Sequence, residues 1–136
     1  MGISNPLDAV TELVKAINQG NLEAAVALYE PEATLVAQPG KVATGTKAIR
    51  EAIAGFIALK PTLMNEAHQI VQAGSIALYC SKWNLKGTAP DGSPVQMRGT
   101  SSDVIRRQAD GRWLIAIDNP WGPAILERDI LSAEDR

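Results

Sequence analysis

The stretch from Ser101 to Gly122, SSDVIRRQADGRWLIAIDNPWG, restricts the fold more than any other part of the chain. Two strand-prone runs flank Ala109-Asp110-Gly111-Arg112, and Asp-Gly between apolar, β-prone runs is the strongest short-range hairpin signal. Turn signals recur upstream at Ala73-Gly74-Ser75 and at Ala89-Pro90-Asp91-Gly92. They divide the C-terminal half into Thr62 to Gln72, Ile76 to Lys86, Ser93 to Gln108 and the second arm of the hairpin. Four successive strands joined by short turns make an antiparallel meander. The run from Ser93 to Gln108 is long enough to need a bend, and Gly99 is the expected bulge or bend.

The N-terminal half carries helical signals instead. Asn5-Pro6 opens a first helix, with Leu7, Val10, Leu13, Val14 and Ile17 on one apolar face. Gln19-Gly20-Asn21 stops it, and Asn21 caps a short Ala-rich helix from Leu22 to Tyr29, ended by Glu30-Pro31-Glu32. Ala33 to Gln38 reads as a short strand, turned by Pro39-Gly40 toward Val42 to Gly45. Thr46 caps a third helix, Lys47 to Leu59, with Ile49, Ile53, Phe56 and Ile57 on its apolar face. Helices first and a meander after predict an α+β domain with helices on one sheet face.

With 136 residues, 46% hydrophobic and 21% charged, the chain fits one domain with a real core, and no linker or repeat divides it. The core is expected over about residues 7–122, with a charged tail over 123–136, a short helix or a frayed end. Net charge is −2 with no basic stripe, so neither nucleic acid nor an anionic membrane is an expected partner. MGISNPLDAV lacks a basic region followed by an apolar run, and no run reaches membrane-spanning length, so a cytoplasmic location is expected. One Cys and one His provide no metal-ligand cluster, and neither a metal nor a cofactor is expected.

Period two assigns the sheet faces. From Ile76 onward, one set is Ala77, Tyr79, Ser81, Trp83 and Leu85, and the other is Ile76, Leu78, Cys80, Lys82 and Asn84. Both sets are partly apolar. Helices cover one face, and a second copy of the chain is the economical cover for the other.

Four segments carry a resemblance: Gly20-Asn21-Leu22-Glu23, Val26-Ala27-Leu28-Tyr29, Glu32-Ala33-Thr34, and Gly45-Thr46-Lys47-Ala48-Ile49-Arg50-Glu51. With Gly111-Arg112-Trp113 and the closing Trp121-Gly122, they resemble ketosteroid isomerases, SnoaL-like polyketide cyclases and the wider nuclear-transport-factor-2-like superfamily. The resemblance implies a curved sheet wrapped around the three helices as a cone, a deep apolar pocket, and a dimer through the outer sheet face. It does not carry the isomerase site across. The family's oxyanion-donating Tyr falls on Leu13, its general base on Ala37 or Gln38, and its supporting Tyr near Ile53. Neither Ala37 nor Gln38 is a base, so ketosteroid isomerisation is not expected. The acid that donates as a neutral carboxyl does survive, at Asp103.

Asp103 is therefore the leading candidate, an acid whose pKa burial in an apolar cone would raise. The competing reading pairs it with Arg98, Arg106 or Arg107. His68, the one residue that titrates near neutrality unperturbed, and Asn119 are its candidate catalytic partners. Parity with Ile115 and Ile117 puts Asn119 inside and Asp118 outside. Tyr79, Ser81, Trp83, Ile117, Trp121, Leu13, Ile53 and Phe56 are the expected ligand-binding lining. Two functions follow. One is a binding protein for a hydrophobic, carbonyl-bearing small molecule. The other is a cofactor-free isomerase, cyclase or dehydratase using Asp103 with His68 or Asn119. An enzyme requires two titratable groups converging on one point of the cavity; a binder does not.

Overall fold

The computed structural model describes residues 3–127. Helix α1, Pro6–Gln19, starts where Asn5 accepts the Asp8 N–H at 3.0 Å and ends at Gly20, whose φ of 70° closes the last turn. Its buried face is Ala9, Val10, Leu13, Ala16 and Ile17. Helix α2, Leu22–Val26, is capped by Asn21 through the Ala24 N–H at 3.1 Å. It is shorter than the sequence suggested, because the chain is already extended at Tyr29, where strand β1, Tyr29–Gln38, begins. Strand β2, Lys41–Thr44, folds back on β1, and helix α3, Thr46–Ile57, follows. Gly45, not Thr46, is the N-cap of α3; the Thr46 hydroxyl donates to the Pro31 carbonyl at 3.4 Å.

Strands β3, Thr62–Ala73, β4, Ile76–Thr88, β5, Pro94–Arg107, and β6, Trp113–Asp118, form the expected meander. The sheet runs β2-β1-β6-β5-β4-β3, with β1 parallel to β6 and every other pair antiparallel. It is mixed and unclosed, with β2 and β3 at its edges. Asn18 of α1 ties down the β3 edge, donating to the Leu63 carbonyl and accepting the Leu63 N–H at 2.9 and 2.7 Å.

The core lies between the helices and the concave sheet face, with Leu35, Ile49, Ile53, Tyr79, Ile105 and Ile115 almost wholly buried. Gly99 is not a bulge: β4 and β5 stay in register through Trp83↔Gly99. Its missing side chain makes room instead, since a Cβ there would lie 3.1 Å from the Trp83 ring and 3.2 Å from the Pro120 oxygen.

The bulge that matters is in β6. Val104 faces Ile117 while Ile105 faces Ile115, so Ala116 is one residue too many on its strand. Side-chain parity reverses past it. Ile117 turns outward and is 44% exposed, and Asp118 turns inward and is buried. This corrects the sequence expectation for Asp118, Asn119 and Ile117. A simple alternation cannot register an extra residue.

Residues 128–136, most of the expected tail, lie outside the described residues. No described helix is long and apolar enough to cross a membrane.

Candidate functional site

The reversed parity builds the site. Val104 opposite Ile117 sets Asp103 against Asp118 on the next rung of the β5–β6 pair. That rung continues through Tyr79 on β4, which faces Asp103, and Leu35 on β1, which faces Asp118. Both acids are buried, at 8% and 9% exposure. They line a cavity of about 100 Å³ between the concave face and the helices. Leu13, Ile53, Phe56, Tyr79, Ser81, Trp83, Ser101 and Trp121 share the lining. Phe56, Met97 and Trp121 also line a wide concavity beside the β1–β2 hairpin and so stand between it and the cavity.

Each acid has its own support. The Tyr29 hydroxyl donates to Asp118 Oδ2 at 2.5 Å, and the Asn119 backbone N–H donates to Asp103 Oδ1 at 2.7 Å. Burial pushes Asp103 well above the usual carboxyl range, and the adjacent Asp118 charge pushes it further. Burial also raises Asp118, while the Tyr29 hydroxyl and Asp103 act to keep it ionised. Two carboxylates face to face cannot both ionise cheaply. Of the two, Asp103 is pushed furthest toward holding a proton, and Asp118, supported by Tyr29, is the one favoured to carry the charge. Tyr29 itself, buried beside that charge, titrates well above its ordinary value and acts only as a donor.

No cation among the described residues pairs with Asp103. Arg106 binds Glu30 instead, Nε to Oε2 at 2.8 Å. His68 does not join the acids; it lies opposite Ser81 on the edge strand β3, is exposed, and stacks on Tyr79, ring centroids 5.7 Å apart. Asn119 contributes through its backbone. Its side chain holds the following turn, accepting the Trp121 and Gly122 N–H groups at 3.2 and 3.1 Å.

The aromatic wall is anchored by its own polar edges. The Trp83 indole donates to the Pro120 carbonyl at 2.7 Å, and the Trp121 indole donates to the Ala37 carbonyl at 3.1 Å. The two rings meet edge to face at 5.4 Å. With both indole N–H groups engaged, the wall offers a ligand only π surface.

An acid pair at the closed end of an apolar cone, framed by an unclosed six-stranded sheet, is the point at which comparison with known proteins decides the family. Residues 10–115 match the SnoaL-like domain family. The chain belongs to it. No curated protein matches the sequence. Among solved structures, the SnoaL-like chain is similar to a nuclear transport factor 2 (NTF2-like) superfamily protein from Salmonella enterica, with 19% identity, 82% of this chain and 84% of that one covered, and a TM-score of 0.74. It is also similar to a candidate ketosteroid isomerase from Shewanella frigidimarina, with 23% identity, coverages of 86% and 95% and a TM-score of 0.73. A third is the epoxide hydrolase/cyclase-like enzyme SalBIII of salinomycin pyran-ring formation, with 22% identity, coverages of 88% and 92% and a TM-score of 0.68. At these identities the likeness shows a shared fold and nothing further.

Tyr29 and Asp118 are the site residues that sequence reasoning missed, and they provide a first test. Tyr29→Phe removes the donor to a buried, ionised carboxylate, a loss of about 2 kcal/mol. A Tm drop of roughly 7 °C at neutral pH is expected for a chain of this size. Because the Tyr29 hydrogen bond favours the charged form of Asp118, the deficit should shrink in acid as Asp118 is protonated. Melting curves for the two proteins across the acid range check this; coincident curves at neutral pH would mean that the contact contributes nothing.

Proposed function

We propose that this SnoaL-like protein binds a small, mostly apolar, carbonyl-bearing molecule in its cone and moves a proton on it without a cofactor, as an isomerase, cyclase or dehydratase. The observation that carries this reading is the Asp103–Asp118 pair at the cavity wall. A binding protein has no use for a second carboxyl beside the first, whereas acid–base chemistry requires a group that holds a proton and one that takes it. In the simplest cycle Asp118 removes a proton from the carbon next to the carbonyl, and the C–H electrons form the C=C bond. The C=O electrons move to oxygen, which takes the Asp103 proton, and an enol results. Return of a proton at another carbon is isomerisation. Loss of a β-hydroxyl as water is dehydration.

The cavity is of the order that holds one aromatic ring, so acetophenone is a suitable probe. Nuclear magnetic resonance in heavy water reads deuterium entering its methyl group, and thermal shift reads its binding. Binding with exchange supports the enzyme. Binding without exchange returns the protein to the simple binder, and no binding removes both.

We also propose a homodimer through the convex face. Val71, Leu78, Val104 and Ile117 stand in one row across β3, β4, β5 and β6, with Val71 66%, Leu78 42% and Ile117 44% exposed. Leu114 and Ala116, earlier on β6, are buried within the chain and do not extend the row. Leu78→Lys with Ile117→Lys is expected to turn dimers into monomers in sedimentation at micromolar concentration. A monomeric wild type would remove the proposal.

A further inference from the structure

One rung from the acids toward the mouth of the cone, Ser81 and Ser101 stand directly opposite each other on β4 and β5. Their Oγ atoms are 2.6 Å apart, both residues are buried, and both line the cavity. Each hydroxyl offsets the burial of the other through their mutual contact, and both remain on the cavity wall. They do not form a relayed nucleophile: His68 stands opposite Ser81 across the β3–β4 pair, but it is exposed, stacks on Tyr79 and makes no hydrogen bond to either serine.

The hydrogen positions around the pair follow from a count. Each hydroxyl has one proton and two lone pairs. Whichever serine donates in their contact, one of the two protons is spent inside the pair, and it fills one of the four lone pairs. The nearby Tyr79 oxygen accepts from the Asn65 amide at 2.9 Å. Toward its surroundings the serine pair therefore offers three lone pairs against one proton and is chiefly an acceptor. The acid pair one rung deeper shows the opposite character, a carboxyl that retains its proton. The indoles add nothing polar.

We propose that Ser81 and Ser101 form a second polar station that accepts a hydrogen bond from a ligand hydroxyl, so that the molecule taken is a rigid hydroxy-carbonyl compound whose two oxygens lie about 7 Å apart, the spacing of two residues along a strand. This rests on the reading that the cone takes a carbonyl compound at the acids. It adds a requirement that the acids do not impose, namely a hydroxyl at the far side of one aromatic ring.

Para-hydroxyacetophenone, acetophenone and para-methoxyacetophenone separate the two ideas. The methoxy compound has the size and the oxygen without the donated proton. Calorimetric titration of wild type, Ser81→Ala and Ser101→Ala at one neutral pH is the measurement. In wild type the hydroxyl compound should bind about tenfold more tightly than either of the others, the value of one additional neutral hydrogen bond. In Ser81→Ala the hydroxyl compound and acetophenone should bind alike. If wild type binds acetophenone without preferring the hydroxyl compound, the serine station is wrong while the carbonyl reading stands. The station is equally wrong if the preference survives in both serine variants. If none of the three binds, the carbonyl reading fails and this inference with it. The wild-type comparison decides the matter even where a serine variant does not fold.

Discussion

Asp103→Asn is expected to melt about 4 °C above wild type at neutral pH, roughly 1 kcal/mol for a chain of this size, and to lose proton transfer by a factor of about a hundred to ten thousand. The two effects have one origin. Asparagine copies the shape of the neutral acid: its oxygen accepts the Asn119 N–H that now goes to Oδ1, and its amide donates toward Asp118. It cannot ionise. In wild type, burial and the Asp118 charge raise Asp103 above its unfolded value. A raised acid stabilises the fold most in acid, below the ordinary value near ~4, and that contribution is lost as the pH climbs through the raised value. The gap between variant and wild type should therefore be nil in acid and widen toward alkaline pH. Melting curves over that range, with deuterium exchange into acetophenone alongside, test both halves. A variant that melts below wild type at neutral pH would make Asp103 a structural acid. Undiminished exchange would move the chemistry elsewhere in the cone.

Asp103 was legible in the sequence and its partner was not, for a reason specific to β6. Leu114-Ile115-Ala116-Ile117 is apolar on both parities, so period two has nothing with which to detect the extra residue at Ala116. The β5 side gives no warning either, because the bulge is absorbed between Val104 and Ile105. Tyr29 was hidden differently. Val26-Ala27-Leu28-Tyr29 before Glu30-Pro31 reads as a helix ending at proline, yet the helix stops at Val26 and Tyr29 opens a strand. Its irregular pairing with β6, whose register shifts between Tyr29 and Thr34, is a tertiary effect. What local chemistry controls was readable: the Asn5 and Asn21 caps, the Gly20 stop, and the Asp110-Gly111 turn, where the Gly111 N–H donates to the Gln108 carbonyl at 2.9 Å. The inward set Tyr79, Ser81 and Trp83 was readable too, because β4 stays in register with β5 along its whole length. The site lies where the two kinds of information meet. One acid sits on a regular strand, and the other on a strand whose irregularity only the assembled sheet reveals.

The turn after β6 holds the wall of the cone, and Gly122→Ala should show how much depends on it. Gly122 has a φ of 53°, and a Cβ there would lie 2.5 Å from the Thr100 carbonyl oxygen. That oxygen is backbone in a paired strand and has nowhere to go. Left-handed strain and the overlap together should cost about 3 kcal/mol, a Tm loss of roughly 10 °C. Gly111→Ala is the matched control: its φ is 89°, but nothing lies within 4 Å of its added Cβ, so only the backbone term applies. About 1 kcal/mol is expected there. The difference between the two measures the close approach alone, and equal losses would contradict it. Function should follow stability at Gly122 and not at Gly111. Three contacts run through the Asn119–Gly122 turn: the Asn119 N–H to Asp103, the Pro120 carbonyl to the Trp83 indole, and the Trp121 indole to the Ala37 carbonyl. A turn pushed off Thr100 loosens all three, freeing the donor that holds Asp103 and the two rings that close the cavity. Folded Gly122→Ala, assayed well below its own melting temperature, should therefore bind acetophenone more weakly than Gly111→Ala does.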